Sequence, residues 1–358
     1  MNTMKKVIKS IINTITTISE EEAFKFKYRS KQTDFIRERK LSFSSVIMFV
    51  LGLSNTSFDF ERINFCSVAK IESISNAALS KARDKIKFSA FRELLTRTQN
   101  LIPTTSKFKG YRVIAVDGLK GELPNTPELR SKYKLSKTNQ YPQFHAVASF
   151  DVLNCKFIDA EFEMCTTNER TAAYKLLENH KKEDDIFLFD RGFPSIALIQ
   201  KLNDNGLKFL ARVSKSFIGE VDEFVSQKSL DKTIHIDYTA RRAATSRTKN
   251  IRLPYSFDLR CVKIRLNSGE TEILITNLPN DTFKRKDLGN LYALRWGIET
   301  GFNHLKNAII IEEFVGIKEN SIKQEFYSIL IKYNLVMQYI GEAELVAHCS
   351  KKNFKVGI

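Results

Sequence analysis

The sequence predicts an α/β protein with a helical N-terminal region and a β-rich segment inserted before its last helices. Three observations point there. From residue 111 onward, short and nearly continuous apolar runs alternate with amphipathic segments, the pattern of strands buried on both faces and the helices covering them. Upstream of that point the chain reads as helix. Between about 215 and 285 apolar and polar residues alternate with period two, which is β-rich structure with one face solvated.

Each element follows in order. "EEEAFKFKYRSKQTDFIRERKL" mixes basic residues with aromatics at helical spacing, and "SFSSVIMFVLGLSNTS" starts on serines and reads as a buried helix. "ALSKARDKIKFSAFRELLTRTQNL" is amphipathic and basic, and "IPTTSKFKG" reads as a linker. "YRVIAVDG" is a strand that Asp117 closes. "FHAVASFDVLNCKFIDAEF" reads as two strands with a turn near Leu153–Asn154, and "TTNERTAAYKLLENH" as a helix with threonine capping. Asp184 and Asp185 read as solvated loop residues before the strand "IFLFD", which Asp190 ends. "IALIQKLNDNG" is a helix closed by Gly206, and "LKFLARVS" is another strand. The β-rich stretch carries a turn at "NSGE", and "LYALRWGIETGFNHLKNAI" reads as one amphipathic helix.

Composition narrows the function. The 358 residues are 42% apolar and 11% aromatic, as in a globular protein. A net charge of +16 signals a polyanionic partner, nucleic acid before an anionic membrane surface. Five scattered cysteines without a CxxC pair fit reduced thiols and argue against a zinc knuckle. The five histidines show no HxxxH spacing and read as structural. The lysine-bearing N-terminus mimics a signal peptide, but Asn, Thr and Ser break its apolar stretch and no cleavage site follows. No segment is long enough to span a bilayer, so we expect a cytoplasmic protein without membrane or small-molecule partners.

Two carboxylates each end a buried strand, Asp117 before Gly118 and Asp190 before Arg191-Gly192, where α/β sheets bind ligands. On a single helix Tyr292, Arg295, Glu299 and Lys306 fall within about 60° of one another, beside the apolar face. Asp117, Asp190 and Glu299 then form a set of hard oxygen donors suited to Mg²⁺ or Mn²⁺. Three carboxylates can hold two such ions, and in so basic a chain the substrate would be a phosphodiester. Tyr292, Arg295 and Lys306 could bind phosphates beside the metals. Taken alone, the helix is better explained as an exposed charged seam with an Arg295–Glu299 ion pair.

The spacing Tyr292-(2)-Arg295-(3)-Glu299-(6)-Lys306 resembles the signature of the DDE transposases of the type-four insertion-sequence family. "VDGLKGELPNTPEL", "FDRGFPS", "NSGETEILITNLP" and "LSKARDKIKFSAF" are similar to that family too, and the resemblance covers roughly residues 75 to 335. It implies a ribonuclease-H-like catalytic core with Asp117, Asp190 and Glu299 as its acids and a β-rich insertion before the last. The expected organisation is a helical DNA-binding region at 1–105, core at 106–214, insertion at 215–285, and core with the catalytic helix at 286–358. The implied activity is binding of terminal inverted repeats, cleavage at the ends and joining of the 3′-hydroxyl to target DNA. It would be carried out by a dimer with two Mg²⁺ ions per site, replaceable by Mn²⁺, in the bacterial nucleoid. Arg191 belongs to the second-acid motif and contacts phosphate or a structural ion-pair partner.

Departures from the pattern are informative. Phe193 stands where a tyrosine is usual. Relatives that form a hairpin hold a flipped base on an insertion-domain tryptophan. Here the sole tryptophan, Trp296, lies in the signature helix and is assigned to packing, while the insertion offers Phe217, Tyr238, Tyr255 and Phe257. The chain beyond Lys306 leaves little room for a separate dimerisation domain. Arg241, Arg242, Arg247, Lys249 and Arg252 read as an exposed loop, solvated or clamping DNA. Lys25, Lys27, Arg29, Lys31, Arg37, Arg39 and Lys40 make the N-terminal helices the candidate reader of the repeats. Two rival functions are a DNA-binding repressor without catalysis and a structure-selective nuclease on the same core.

Overall fold

The computed structural model describes residues 2–54, 56–133, 140–164, 168–178, 180, 184–239, 252–266, 269–307 and 313–349. Helices α1 (Asn2–Glu20), α2 (Glu22–Tyr28), α3 (Phe43–Gly52), α4 (Phe58–Val68), α5 (Asn76–Asp84) and α6 (Ser89–Thr98) come first. Three of them start where a serine satisfies an otherwise unpaired amide: Ser42 accepts from Ser45 N, Ser57 from Phe60 N and Ser75 from Ala78 N. Val46, Ile47, Phe49 and Val50 of the run "VIMFVLGL" are buried in α3, as its composition requires.

Strand β1 (Arg112–Glu122) opens the core, and the short helix α7 (Pro127–Lys132) follows it. Then come β2 (Gln143–Asp151), β3 (Lys156–Met164), α8 (Glu169–Glu178), β4 (Asp185–Phe189), α9 (Ile196–Asp204), β5 (Lys208–Val213) and α10 (Gly219–Ser226). The sheet is completed by β6 (Asp231–Tyr238), β7 (Tyr255–Arg265) and β8 (Thr271–Thr276). Its order is β3-β2-β1-β4-β5-β8-β7-β6. β1 to β3 form an antiparallel meander, while β4 and β5 run parallel to β1, and this is the topology of a ribonuclease-H-like core. The period-two stretch supplies β6 to β8. They continue the same sheet through antiparallel pairing of β8 with β5 rather than forming a second layer.

The two faces of the sheet carry separate apolar clusters, as alternation along each strand demands. Val113, Ala115, Leu188 and Leu210 pack against the N-terminal helices and against α11 (Arg285–Ala293), α12 (Trp296–Asn307) and α13 (Glu319–Cys349). Ile114, Val116, Phe187, Phe189 and Ala211 pack against α8, α9 and α10.

Three local expectations change. Asp117 does not close its strand: β1 runs on to Glu122, paired with β2 alone once its pairing with β4 stops at Val116–Phe189. The expected threonine cap lies outside the described residues; within them, Asn168 Oδ1 accepts the Arg170 amide at 2.9 Å. Asp185 is no solvated loop residue; it is 1% exposed and gripped by Arg112 and His180. The signature helix is two helices. Across Leu294–Arg295 the hydrogen bonds tighten to the i→i+3 pattern, from Leu294 N to Leu291 O through Ile298 N to Arg295 O. Beyond the break α12 lies close on the β2–β3 hairpin, because a side chain at Gly297 would meet Val152 at 3.1 Å and one at Gly301 would meet Phe150 at 3.2 Å.

Candidate active site

Register places the acids. Val116 of β1, Phe189 of β4 and Ala211 of β5 are neighbours across the sheet, so Asp117, Asp190 and Arg212 follow on the next row. Alternation turns that row to the face covered by α11 and α12. There Arg212 donates from Nε to Asp190 Oδ1 at 3.0 Å and from Nη1 to Glu272 Oε1 at 2.7 Å. Tyr292 Oη donates to Asp190 Oδ1 at 3.1 Å.

The break in the signature helix has a consequence at Arg295. It buries this side chain to 3% exposure and lets the guanidinium bridge two acids. Nη1 donates to Asp117 Oδ2 at 3.2 Å and Nη2 to Glu299 Oε1 at 2.9 Å, while Nε is buried with no hydrogen-bond partner. The guanidinium also lies 4.8 Å from the Trp296 ring centroid. Tyr292, Arg295, Asp117, Asp190 and Glu299 are thus brought together. Lys306 is exposed further along α12 and makes no ion pair among the described residues. Arg191 is likewise exposed and without an ion pair among the described residues, its amide turned to Asp190.

Electrostatics separate the two aspartates. Burial pushes the Asp117 carboxyl up to about 6, with the charges of Asp190 and Glu299 adding to the rise against the Gly118 amide and Arg295. Burial also opposes ionisation of Asp190, but the Arg191 amide, Arg295, Arg212 and Tyr292 prevail and hold it below the ordinary carboxylate range. Burial and then the Asp190 charge raise Tyr292, which keeps it a hydrogen-bond donor.

Other candidates fall elsewhere. Arg252 pairs with Asp204 at 3.0 Å; Arg241, Arg242, Arg247 and Lys249 lie outside the described residues. Trp296 does not pack as expected, being 60% exposed at the rim of the site. Tyr238 and Phe257 are buried, Phe257 stacked on Tyr255, and Phe217 packs at the edge of the same cluster. Phe193 is buried against Phe189. Of the N-terminal cations, Lys25, Lys27 and Lys40 pair with Glu22, Glu93 and Glu72. Arg37, Arg39 and Lys40 line a groove of ≈940 Å³ with Lys81 and Lys85.

Residues 108–335 match the family profile described as "Transposase DDE domain". The chain belongs to this DDE transposase family. A curated relative of the transposase is "Transposase InsG for insertion sequence element IS4" of Escherichia coli (strain K12). The two are 22% identical over 324 residues, 86% of this chain and 72% of the relative. The protein is thereby a DDE transposase of the type-four insertion-sequence kind. Among solved structures, the piggyBac transposase synaptic complex with hairpin DNA shares 10% identity and a TM-score of 0.44, over 98% of this chain and 75% of its own.

Divalent ions serve this family, and the donor set of the transposase fits them chemically: carboxylates without thiolate or imidazole competition at their tips. Asp117 and Asp190 are neighbours on one row just past the point where the pairing of β1 with β4 ends. No three acids, histidines or cysteines among the described residues yet converge as a ready cage, because Arg295 stands between Asp117 and Glu299. No helix among them is long and apolar enough to cross a membrane.

Sequence reasoning missed Arg212, Glu272, Glu169 and His145. Arg212 was open to detection as a cation at the end of the apolar run "LKFLARV". The other three carry no local signal, since sheet register places Glu272 and His145 and the packing of α8 places Glu169.

Proposed function

We propose that this transposase binds the terminal inverted repeats of its element as a dimer, cleaves at the ends and transfers the 3′-hydroxyl strand into target DNA. The observation that carries this reading is the single row of Asp117 and Asp190, joined to Glu299 through the Arg295 bridge. Asp117, Asp190 and Glu299 would hold two Mg²⁺ ions, or Mn²⁺ in their place. Bound there, such ions would supply activation of an attacking water or hydroxyl and stabilisation of a leaving oxygen. Asp190 is kept ionised and aimed by Tyr292 and Arg212. Arg295 is shared between Asp117 and Glu299, and its buried guanidinium is a preorganised donor for a DNA phosphate. Lys306 and Arg191, both exposed, supply further phosphate contacts along the same edge.

In this reading residues 1–105 read the repeats, 106–214 and 286–358 form the catalytic core, and 215–285 form an insertion. The groove lined by Arg37, Arg39, Lys40, Lys81 and Lys85 offers the N-terminal helices a cationic surface for a DNA backbone. Arg241, Arg242, Arg247, Lys249 and Arg252 would add contacts beside the site. The protein would work on the nucleoid.

The test is linear DNA carrying the gene's own flanks, incubated with Mn²⁺ and either the wild-type protein or Glu299→Gln, with cuts mapped on both strands. Discrete cuts at the element's ends, reduced at least ~10³-fold in the mutant while end binding persists, are expected. Binding without any cut would favour a non-catalytic repressor. Cutting without regard to end sequence would favour a structure-selective nuclease.

A further inference from the structure

Glu169 opens α8 on the opposite face of the sheet from Asp117, yet its carboxylate reaches the backbone of both aspartate motifs. A Cβ placed on Gly118 would lie 2.9 Å from Glu169 Oε1, and one placed on Gly192 would lie 3.7 Å from Oε2. One carboxylate therefore rests against Asp117-Gly118 and Asp190-Arg191-Gly192 at once. It can do so because β4 has ended, β1 is unpaired on that side, and neither glycine carries a side chain. Arg170 fixes the approach by donating from Nε to the Gly192 carbonyl at 2.9 Å.

His145 supplies a second, independent observation. It is 3% exposed on β2, and its Nε2 would be 2.9 Å from the same Gly118 Cβ. Nε2 stands 3.1 Å from Glu169 Oε1, at ion-pair distance, but makes no hydrogen bond there. A buried ring nitrogen and a buried guanidinium nitrogen, Arg295 Nε, are thus both left unsatisfied around one group of acids. Asp117, Asp190, Glu299 and Glu169 are four carboxylates from both faces of the sheet near the ends of the same strands, with Arg295, Arg212, Arg170, Arg191 and Lys120 among them. Carboxylate oxygens gathered at one strand edge are hard donors that suit a divalent cation.

We propose that Glu169 is a fourth carboxylate of the metal-binding face, contributing an oxygen to the divalent ion held by Asp190, with His145 and Arg170 as its positioning residues. The proposal rests on the metal-ion reading of the three acids given above, and extends it to a residue on the far face of the sheet. Gly118 then has a reason of its own. Any side chain there would displace Glu169 and His145 from the backbone of the first acid.

The experiment measures binding of Mn²⁺ alone to the full chain by the loss of the free-ion electron paramagnetic resonance signal, with no DNA and no turnover. Wild type, Asp190→Asn, Glu169→Gln and Glu169→Asp are compared, each after a thermal melt has shown a folded protein. Asp190→Asn should weaken binding. Glu169→Gln should weaken it by about tenfold or more, and Glu169→Asp should recover part of the loss by keeping the charge. Should Glu169→Gln bind Mn²⁺ like wild type while Asp190→Asn does not, the proposal falls and the three-acid site stands. Should neither variant differ from wild type, the metal reading itself falls and takes the proposal with it. A Glu169→Gln chain too unstable to purify leaves Glu169→Asp to decide: unchanged Mn²⁺ affinity at the shorter reach would overturn the proposal.

Discussion

Two pairs of residues on the same two strands show how charge balance separates structure from chemistry. At the start of the parallel pair Arg112 faces Asp185 in register, with Arg112 Nε donating to Asp185 Oδ1 at 2.7 Å and His180 Nε2 2.6 Å from Oδ2. That acid is matched by the Arg112 guanidinium and held by the His180 ring. At the other end Asp117 and Asp190 sit side by side, and Arg295 is shared between Asp117 and Glu299. Burial alone would raise Asp185, but the bonds and charges of Arg112 and His180 hold it below its ordinary value. A depressed carboxylate stabilises the fold above its unfolded pKa of about 4, and that contribution disappears as pH falls through the lower folded value. Asp185→Asn should therefore cost ~3–5 kcal/mol in urea unfolding at pH 7. The gap from wild type should narrow steadily below about pH 4. A gap independent of pH would mean that the aspartate is held by shape rather than charge. Asp190 was legible in the sequence because it ends an apolar run. Asp185 was not, because a carboxylate at the start of a strand looks the same whether an arginine waits across the ladder or not.

Among the elements, α12 is the one whose placement decides the site. Its existence and its apolar face were legible from periodicity, but the break at Leu294–Arg295 was not. A turn of i→i+3 bonds preserves the apolar stripe almost unchanged and only the burial of Arg295 reveals it. The contact of Gly297 and Gly301 with the β2–β3 hairpin sets how near Glu299 comes to Asp117. Gly301→Val would drive a branched side chain into the rings of Phe150 and Phe157. We expect a loss of ~1–3 kcal/mol from overpacking. We also expect a fall in end cleavage larger than the loss of folded protein explains, since displacement by about 1 Å is enough to cost ~10²-fold. Thermal melts paired with the cleavage assay measure both. A variant that is less stable yet cleaves normally would show that Glu299 tolerates a moved helix.

For the molecule as a whole, the N-terminal helices are not a separate bead on the chain. They share a continuous apolar cluster with the sheet and α13. A buried polar seam ties them down: Arg83 donates to Glu325 Oε1 at 2.7 Å, Gln324 Nε2 to the Ile86 carbonyl at 2.7 Å, and Ser328 Oγ to the Val50 carbonyl at 3.0 Å. The sequence made both helical ends legible, but not their contact, because pairings between residues so far apart leave no mark on local pattern. Deleting residues 1–105 should therefore expose the face of α13 rather than release a working core. Expression of 106–358 should give an aggregating or dye-binding product, whereas a cooperatively melting fragment would argue for an independent catalytic domain.

The same seam has a bearing on synthesis. Helices α1 to α6 leave the ribosome first, yet the surface they must cover, Glu319 to Tyr333, is among the last made. Long-range closure of this kind is slow to form and waits on the whole intervening chain. The residue that would complete the acids, Glu299, also emerges late. On the proposed function, a ribosome that stops early thus releases a polypeptide with an unfinished core and without Glu299, and such a partial product would be unable to cut DNA.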